Sequence, residues 1–301
     1  MTLERGREAS KPKPVSLSEL GDMKRRGQKI AMVTAYDAPS ARLAEEAGLD
    51  IVFVGDSAAN NVLGYEGTTA ISIEEMLILA RAARRGTHRA FFMIDMPLGT
   101  FQISDEDAVR NAVRFVKEAG ADAVKLEGGG TSVSRARAIV AAGIPVMGHI
   151  GLTPQSATML GGYRAQGRTA VKARQLFADA LALQSAGCFA IVLEAVPARV
   201  AARITEALAI ATIGIGAGVE CDGQVLVWHD LLGINQGRLP RFVKQFAAVA
   251  DETRRGLRAY VEEVRAGTFP TEAQTYAIND EEYALFESEI APGVLAVDDW
   301  I

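Results

Sequence analysis

The chain has 301 residues, of which 49% are hydrophobic, and its formal net charge is −5 at pH 7. This length and composition allow a large core and suit a single α/β barrel, which commonly takes about 250 residues. The sequence carries no basic patch, so we expect no nucleic-acid partner, and no apolar run reaches the roughly 18 residues of a membrane span. Residues 1–14 are charged and lack an apolar stretch, so we expect no secretory signal and no membrane association.

The two cysteines, Cys188 and Cys221, do not have the spacing of metal ligands. We expect both to be small buried side chains that act as hydrophobic residues. Unpaired cysteines suit a reducing compartment, and the cytoplasm is therefore the predicted location of the protein.

Three segments are predicted along the chain. Residues 1–15 are expected to form a flexible extension, because Pro12 and Pro14 argue against a helix. Residues 16–270 are expected to form the catalytic domain. Residues 271–301 contain eight acidic residues and no Lys or Arg, so we expect an acidic C-terminal extension that is an appendage to the catalytic body.

Runs of β-branched and aromatic residues alternate with helical patterns along the catalytic segment. They predict strands at 29–34, 51–55, 90–94, 122–126, 145–148, 189–193, 211–215 and 225–228. They predict helices at 16–26, 38–47, 73–85, 104–120 and 132–142, one ending at Gly187, one beginning near Pro197, and one over 239–265.

Eight strand–helix units without hairpin signals indicate an all-parallel sheet. They favour a closed (β/α)8 TIM barrel, with an open doubly wound sheet as the alternative. Ala-Gly pairs at 47–48, 119–120, 142–143 and 186–187 precede predicted strands, where glycine suits the end of a helix. The sequence therefore predicts an α/β fold of the TIM-barrel type.

Chemically active side chains fall where the predicted strands end. In a barrel these ends meet at one mouth, which is where active sites lie. The loop at 58–72, after the second strand, is a candidate substrate loop. The side chains at the strand ends are Asp37, Asp56, Ser57, Asp95, Lys125, Glu127, His149 and Glu194.

Asp56 and Asp95, from neighbouring strands, suit a hard divalent cation. Oxygen ligands without a cysteine or histidine cluster indicate Mg2+ rather than Zn2+. Glu127 is a third acid at the mouth and a candidate for holding metal-bound water. Lys125 shares the strand face of Glu127 and is expected to bind a substrate carboxylate or to stabilise an enolate.

Glu194 is flanked by apolar residues, so we expect a desolvated carboxylate that suits a general base. His149 either donates a hydrogen bond to the substrate or is a structural residue at the mouth. Together these groups predict metal-assisted enolisation of a small 2-oxo acid. These residues indicate the reaction class and leave the substrate open.

Several motifs make the chain similar to one known family. HIGLTPQS at 149–156 is followed by GGYRAQGR at 161–168. Over residues 16–270 the chain resembles the ketopantoate hydroxymethyltransferase family. The other matching motifs are TAYD at 34–37, VGDS at 54–57, DMP at 95–97, KLEGG at 125–129, VLEAVP at 192–197, IGIGAG at 213–218 and DGQVLVWHD at 222–230.

The resemblance implies a barrel like those of phosphoenolpyruvate mutase and isocitrate lyase. It implies Mg2+-dependent transfer of a hydroxymethyl group from 5,10-methylenetetrahydrofolate to 3-methyl-2-oxobutanoate, which gives 2-dehydropantoate for pantothenate and coenzyme A synthesis. It also implies a homo-oligomer, a decamer in this family.

The resemblance implies a role for each candidate residue. Asp56 and Asp95 match metal ligands, and Glu127 matches the acid near metal-bound water. Glu194 matches the catalytic base. The positions that match substrate contacts are Asp56, Ser57, Asp95, Lys125 and His149.

The chain departs from the family pattern around the substrate loop. AANNVLG at 58–64 stands where the family usually has LGMxxxG, and Thr68–Ala70 and Ile71 lack the usual proline. Two other functions are therefore weighed: another carbon–carbon lyase or mutase of the same superfamily, and a catalytically silent oligomeric paralogue. Retention of the metal-binding and base residues argues against the silent paralogue.

Overall fold

The computed structural model describes residues 13–237 and 239–290. The chain forms two compact units that divide between Ala248 and Val249, and each is described by itself. Most of the predicted N-terminal extension and the end of the acidic extension lie outside the described residues.

The first unit contains a closed barrel of eight parallel strands, which confirms the predicted TIM-barrel fold. The strands follow one another around the barrel in chain order, and β8 pairs with β1. Their bounds are Ile30–Thr34 (β1), Ile51–Val54 (β2), Phe91–Asp95 (β3), Ala123–Glu127 (β4), Val146–Gly151 (β5), Ala190–Glu194 (β6), Ala211–Ile215 (β7) and Gly223–Leu226 (β8).

Helices surround the barrel, and an apolar layer lies between them and the strands. Gly120 has φ 68° and ends α5, as its Ala-Gly pair predicted. The helices of this unit are Leu17–Arg25 (α1), Ala38–Glu46 (α2), Ala58–Asn61 (α3), Ile73–Arg84 (α4), Asp105–Ala119 (α5), Ser132–Ala141 (α6), Ala170–Ser185 (α7), Ala198–Ala207 (α8) and Trp228–Leu231 (α9).

The barrel interior is apolar at its N-terminal end and polar at its C-terminal end. Side chains two residues apart on a strand share a face, so Ala123, Lys125 and Glu127 all point inward from β4. Ala123 belongs to an apolar cluster in the barrel, whereas Lys125 and Glu127 line a cavity at the mouth. Leu20 and Met23 of α1 join the apolar cluster. Burial of apolar side chains thus supports the layer of polar groups above it.

Two predicted elements differ from the structure. The last strand is Gly223–Leu226 instead of 225–228. A Cβ atom at residue 223 would lie 2.5 Å from the Ile30 carbonyl oxygen, so this glycine permits close pairing with β1 instead of marking a turn. The helix predicted over 239–265 begins only at Val249. The preceding residues form a loop, in which the Phe246 amide donates to the Leu231 carbonyl at 2.8 Å.

The second unit contains the helices Val249–Ala266 (α10) and Asp280–Glu289 (α11). The Asn279 side chain caps α11 by accepting a hydrogen bond from the Glu281 amide at 2.7 Å. The sequence predicts a boundary at residue 270, whereas α10 already belongs to the second unit. Periodicity predicts a helix but not the unit to which that helix belongs. No helix among the described residues has the length and apolarity needed to cross a membrane.

Cys188 and Cys221 are buried and form no disulfide, which confirms their prediction as buried side chains. Burial raises the pKa of Cys188 to about 12, so its thiol stays protonated. Cys188 therefore acts as a small hydrophobic residue.

Candidate active site

The structure places all seven candidate site residues around one cavity at the C-terminal end of the barrel. The cavity has a volume of about 510 Å3. Asp37, which also follows a strand, does not line it. Asp37 is exposed and caps α2 by accepting a hydrogen bond from the Ser40 amide at 2.7 Å. The seven lining residues are Asp56, Ser57, Asp95, Lys125, Glu127, His149 and Glu194.

Strand register brings the central groups together in pairs. Asp95 on β3 lies opposite Lys125 on β4, and the Lys125 Nζ is 3.0 Å from the Asp95 Oδ1. Glu127 on β4 lies opposite His149 on β5, with 3.4 Å between the Glu127 Oε1 and the His149 Nδ1. Both pairs follow from the parallel register, which puts residues of equal height side by side.

Lys125 is a buried cation among carboxylates. Burial lowers its pKa, but Asp95, Glu127 and Asp56 outweigh burial and raise the pKa above its ordinary value. The lysine therefore remains charged. Its Nζ also lies 5.3 Å from the centre of the Phe53 ring, where a cation–π interaction is favourable. A fixed positive charge at this depth can attract the carboxylate or the enolate oxygen of a bound acid.

Asp56 and Asp95 form a buried acidic pair. Burial, followed by repulsion from Asp95, raises the pKa of Asp56 well above its ordinary value. Burial also raises the pKa of Asp95, although Lys125 opposes this effect. The backbone amide of Asp56 donates to the Asp95 Oδ2 at 3.3 Å. The positive charge of Lys125 therefore does not fully compensate the two neighbouring carboxylates.

These residues fit a divalent cation of the Mg2+ type. The buried Asp95 Oδ1 meets no hydrogen-bond geometry within the described part of the chain, although the Lys125 Nζ lies 3.0 Å away, and both carboxylates offer the hard oxygen ligands that such a cation prefers. No group of three or more His, Cys, Asp or Glu side chains among the described residues converges as a complete metal site. Mg2+ is commonly held by one or two carboxylates and completes its shell with water and substrate. Asp56 and Asp95 supply such a pair, while Glu127 is turned toward His149.

His149 lies between two acids. Its Nε2 is 3.3 Å from the Glu194 Oε2, and its Nδ1 side faces Glu127. Burial and Lys125 lower the pKa of His149, but hydrogen bonding to Glu127 and Glu194 outweighs them and raises the pKa to about 9. The imidazole thus lies within ion-pair distance of both carboxylates, and its Nδ1 is also 3.2 Å from the Lys125 Nζ.

Gln155 is a site residue that the sequence reasoning missed. Its Nε2 donates to the Asp56 Oδ2 at 2.9 Å and to the Met96 carbonyl at 3.0 Å. Its backbone amide donates to the Glu127 Oε2 at 3.0 Å. One residue therefore orients two of the acids. Its place in the HIGLTPQS motif is a sequence signal for this role, but an amide side chain does not titrate and so carries no catalytic signature of its own.

Tyr36 and the loop after β2 support Ser57 by hydrogen bonds. The Tyr36 hydroxyl shares a hydrogen bond of 2.9 Å with the Ser57 Oγ. The Asn61 Nδ2 donates to the Ser57 carbonyl at 2.7 Å, and the Asn61 Oδ1 accepts from the Asn235 Nδ2 at 2.6 Å. Sequence reasoning identified the loop but not its bond to Asn235, because that contact joins segments far apart in the chain.

The sequence of the chain is similar to those of known proteins. A family model described as ketopantoate hydroxymethyltransferase matches residues 14–272. The 3-methyl-2-oxobutanoate hydroxymethyltransferase of Carboxydothermus hydrogenoformans is 53% identical over 267 residues, which cover 89% of this chain and 97% of that protein.

Solved structures share the fold at low sequence identity. A 2,3-dimethylmalate lyase, described as a PEP mutase/isocitrate lyase superfamily member, matches with a TM-score of 0.55 and 16% identity, over 91% of this chain and 98% of that one. A phosphonopyruvate hydrolase in complex with oxalate and Mg2+ matches with a TM-score of 0.56 and 13% identity, over 91% and 98% of the two chains. These matches agree with the barrel expected from the sequence.

Proposed function

The chain belongs to the ketopantoate hydroxymethyltransferase family, and we propose on that premise that it transfers a hydroxymethyl group to 3-methyl-2-oxobutanoate. The co-substrates are 5,10-methylenetetrahydrofolate and water, and the products are 2-dehydropantoate and tetrahydrofolate. The proposal rests on one observation: the acidic pair Asp56 and Asp95, the buried Lys125 and the carboxylate of Glu194 all line one cavity. This set of groups suits enolisation of a 2-oxo acid.

Asp56 and Asp95 are the residues that would hold Mg2+. When bound, the cation supplies Lewis-acid chemistry that makes a 2-oxo acid easier to enolise. Gln155 supports this role because it orients Asp56 by donating to its Oδ2 at 2.9 Å. Glu127 stands close by as the candidate partner of metal-bound water.

Lys125 and Ser57 are proposed to bind and orient the oxo acid. Lys125 carries a positive charge at the floor of the cavity, where it can stabilise negative charge that develops on the substrate oxygen. The Ser57 hydroxyl is held by Tyr36 at 2.9 Å, so its direction is fixed before substrate enters. Such preorganisation lowers the cost of reaching the reactive geometry.

Glu194 is proposed as the general base. Its carboxylate takes the proton from C3 of the oxo acid, and the C3 carbon then forms the new bond to the one-carbon unit of the donor. Both C–N bonds that hold this unit to the donor break. Water supplies the hydroxyl group of the product, and the proton from C3 together with the remaining proton of water ends on the two donor nitrogens. The His149 Nε2 lies 3.3 Å from the Glu194 Oε2, which places the imidazole beside the proposed base. The other role expected from the sequence, a hydrogen bond from His149 to the substrate, would require one of its two ring nitrogens to turn from its carboxylate.

The two buried cysteines suit the cytoplasm proposed for this reaction. We also propose that the protein assembles as a homo-oligomer, a decamer by resemblance to the family. Sedimentation velocity of the purified chain measures its mass directly, and a monomer at micromolar concentration would contradict this part of the proposal.

The proposed reaction is tested by NMR of 3-methyl-2-oxobutanoate in D2O, with and without Mg2+, before methylenetetrahydrofolate is added. We expect Mg2+-dependent loss of the C3 proton signal, followed by formation of 2-dehydropantoate. Exchange of the C3 proton without formation of 2-dehydropantoate would show that the protein enolises the oxo acid but does not use methylenetetrahydrofolate as the one-carbon donor. Absence of exchange would contradict the proposed substrate and favour another superfamily lyase or mutase, or a catalytically silent paralogue.

A further inference from the structure

A second cavity, of about 1230 Å3, adjoins the active-site cavity. Tyr163, Glu194 and Phe242 line both cavities, so the proposed base lies where the two spaces meet. A reaction that joins carbon atoms of two molecules needs both reactants at this point. The 510 Å3 cavity accommodates a small oxo acid, and the second cavity gives a larger partner access to the same carboxylate.

The second cavity is lined by an excess of positive charge. Arg164, Arg168 and Arg241 line it, and Glu194 at its inner end is its one lining carboxylate among the described residues. None of these three arginines forms an ion pair within residues 13–237 and 239–290. The chain as a whole has a net charge of −5, so this concentration of free guanidinium groups is local. It suits a ligand that carries carboxylates.

Aromatic rings lie at the junction of the two cavities. Phe242 packs against the apolar cluster of the barrel, and its ring approaches Gly216 so closely that an added Cβ atom would lie 2.6 Å from the ring. The glycine thus lets the ring lie against β7. Tyr163 lines both cavities and has an exposed ring. Two aromatic side chains beside the base suit a planar heterocycle, because such rings stack or meet edge to face.

The loop that contains Arg164 and Arg168 is hydrogen-bonded to Ala195, the residue that follows Glu194 at the end of β6. The Gln166 amide donates to the Ala195 carbonyl at 3.0 Å, and the Ala195 amide donates to the Ile215 carbonyl at 2.8 Å. Ala195 has φ 49°, a left-handed conformation that costs a non-glycine residue energy and is concentrated at functional sites. The loop with Arg164 and Arg168 is therefore positioned relative to Glu194.

We infer that the second cavity binds the one-carbon donor, a reduced pterin that carries an aminobenzoyl-glutamate tail. The pterin lies by Tyr163 and Phe242, next to Glu194, and the tail carboxylates lie against Arg164, Arg168 and Arg241. This inference rests on the proposed function. The inference explains why the two adjoining cavities differ in charge. The active-site cavity is acidic and contains a single lysine, whereas the second cavity is rich in arginine.

The test compares the wild type with the double variant Arg168→Ala/Arg241→Ala. We expect the Michaelis constant for 5,10-methylenetetrahydrofolate to rise about tenfold, as for the loss of two partly exposed charge-assisted contacts. The Michaelis constant for 3-methyl-2-oxobutanoate is expected to stay within twofold. The matched control is Arg137→Ala, because Arg137 is an exposed arginine on α6 that lines neither cavity. The inference would be overturned if the Michaelis constant for 5,10-methylenetetrahydrofolate were the same in the double variant as in Arg137→Ala.

A truncated donor identifies the part of the ligand that the arginines contact. 5,10-Methylenetetrahydropteroate lacks the glutamate, so the wild type should bind it about tenfold more weakly than the full donor. The double variant should show little difference between the two donors, because the partners of the carboxylates are already gone. If loss of the glutamate weakened donor binding equally in the wild type and the double variant, the assignment of the tail to these arginines would be contradicted.

Calorimetric binding of tetrahydrofolate separates this inference from the proposed function, because it needs no turnover. Binding that weakens in the double variant but not in Arg137→Ala supports the cavity assignment, even if the wild type forms no 2-dehydropantoate. Product formation with equal tetrahydrofolate binding in all three proteins overturns the cavity assignment and leaves the proposed reaction intact. Failure of tetrahydrofolate to bind any of them overturns the inference.

Discussion

Lys125 and Asp95 face each other from adjacent strands, and their Nζ and Oδ1 atoms are 3.0 Å apart with side chains only 5% and 2% exposed. The pair forms because β3 and β4 align these residues in register. Two charges removed from water cost energy unless each compensates the other. Asp56 and Glu127 add negative charge around the same lysine, so three acids share the one positive charge of Lys125.

Replacing Lys125 with Met should destabilise the barrel strongly. Removing one partner of a buried ion pair costs about 3–5 kcal/mol, because the other charge stays buried. Denaturant unfolding at pH 8 measures the loss, which should shrink at lower pH as Asp95 takes up a proton. The control is Lys24→Met, since Lys24 pairs with Asp222 at 2.7 Å but both side chains are about three times as exposed or more, at 15% and 16%. A smaller loss in Lys125→Met than in Lys24→Met would contradict the prediction.

The proposed metal ligands predict a specific loss of metal dependence. Asp56→Asn keeps the size of the side chain and removes its charge, so Mg2+-dependent exchange of the substrate C3 proton should fall at least a hundredfold while the fold persists. Removal of metal from the wild type with a chelator should give a similar loss, reversible by added Mg2+. Asp95→Ala should behave like Asp56→Asn, and full activity in that variant would contradict the metal assignment.

Asp37→Asn is the control for the acid substitutions. Asp37 also follows a strand, but it caps α2 and lies outside the cavity. Asparagine is a good helix cap, so stability should change little. Mg2+-dependent exchange should remain at the level of the wild type, as measured by the same NMR assay.

The sequence predicts those parts of the site that depend on local pattern. Lys125 and Glu127 are two residues apart on one strand, so their shared inward face follows from the geometry of a strand. The meeting of Asp56 with Asp95 follows from parallel strands that end at one mouth. These positions need no knowledge of tertiary contacts beyond the barrel itself.

Features that depend on distant segments could not be predicted from the sequence. Gly223 is in a strand because its backbone approaches Ile30, which lies far away in the chain. Gln155 joins the site through a hydrogen bond to Asp56 across 99 positions of sequence. The residues before α10 have helical composition but form a loop, in which the Phe246 amide donates a hydrogen bond to the Leu231 carbonyl. Tertiary contacts override local propensity at each of these places.

Glu45 predicts a pH-dependent contribution to stability away from the active site. Its Oε2 accepts backbone hydrogen bonds from His88, Arg89 and Ala90 at 2.6, 2.7 and 3.1 Å. Burial raises the pKa of Glu45, but these three donors outweigh burial and hold the pKa below its ordinary value. The stabilisation is therefore complete above the ordinary pKa of a glutamate and is lost as the pH falls through the lower pKa of the folded state.

Glu45→Gln should lower the free energy of unfolding by about 1 kcal/mol at pH 7, since the site is partly exposed. The difference from the wild type should shrink as the pH falls below 4, because the wild-type carboxylate is then protonated as well. Glu46→Gln is the control, because the Glu46 side chain is exposed and makes no hydrogen bond or ion pair in the described part of the chain. A difference between Glu45→Gln and the wild type that stays constant from pH 7 to pH 3 would contradict the prediction.

Glu194→Gln should separate substrate binding from proton removal. The amide keeps the shape of the side chain, and Lys125 and Ser57 remain in place, so calorimetric binding of 3-methyl-2-oxobutanoate with Mg2+ should change less than threefold. Exchange of the C3 proton in D2O should fall by about two to four orders of magnitude, the usual contribution of a general base. The control Glu118→Gln lies on α5 outside the cavity and should exchange as the wild type does. Unchanged exchange in Glu194→Gln would show that another group removes the proton.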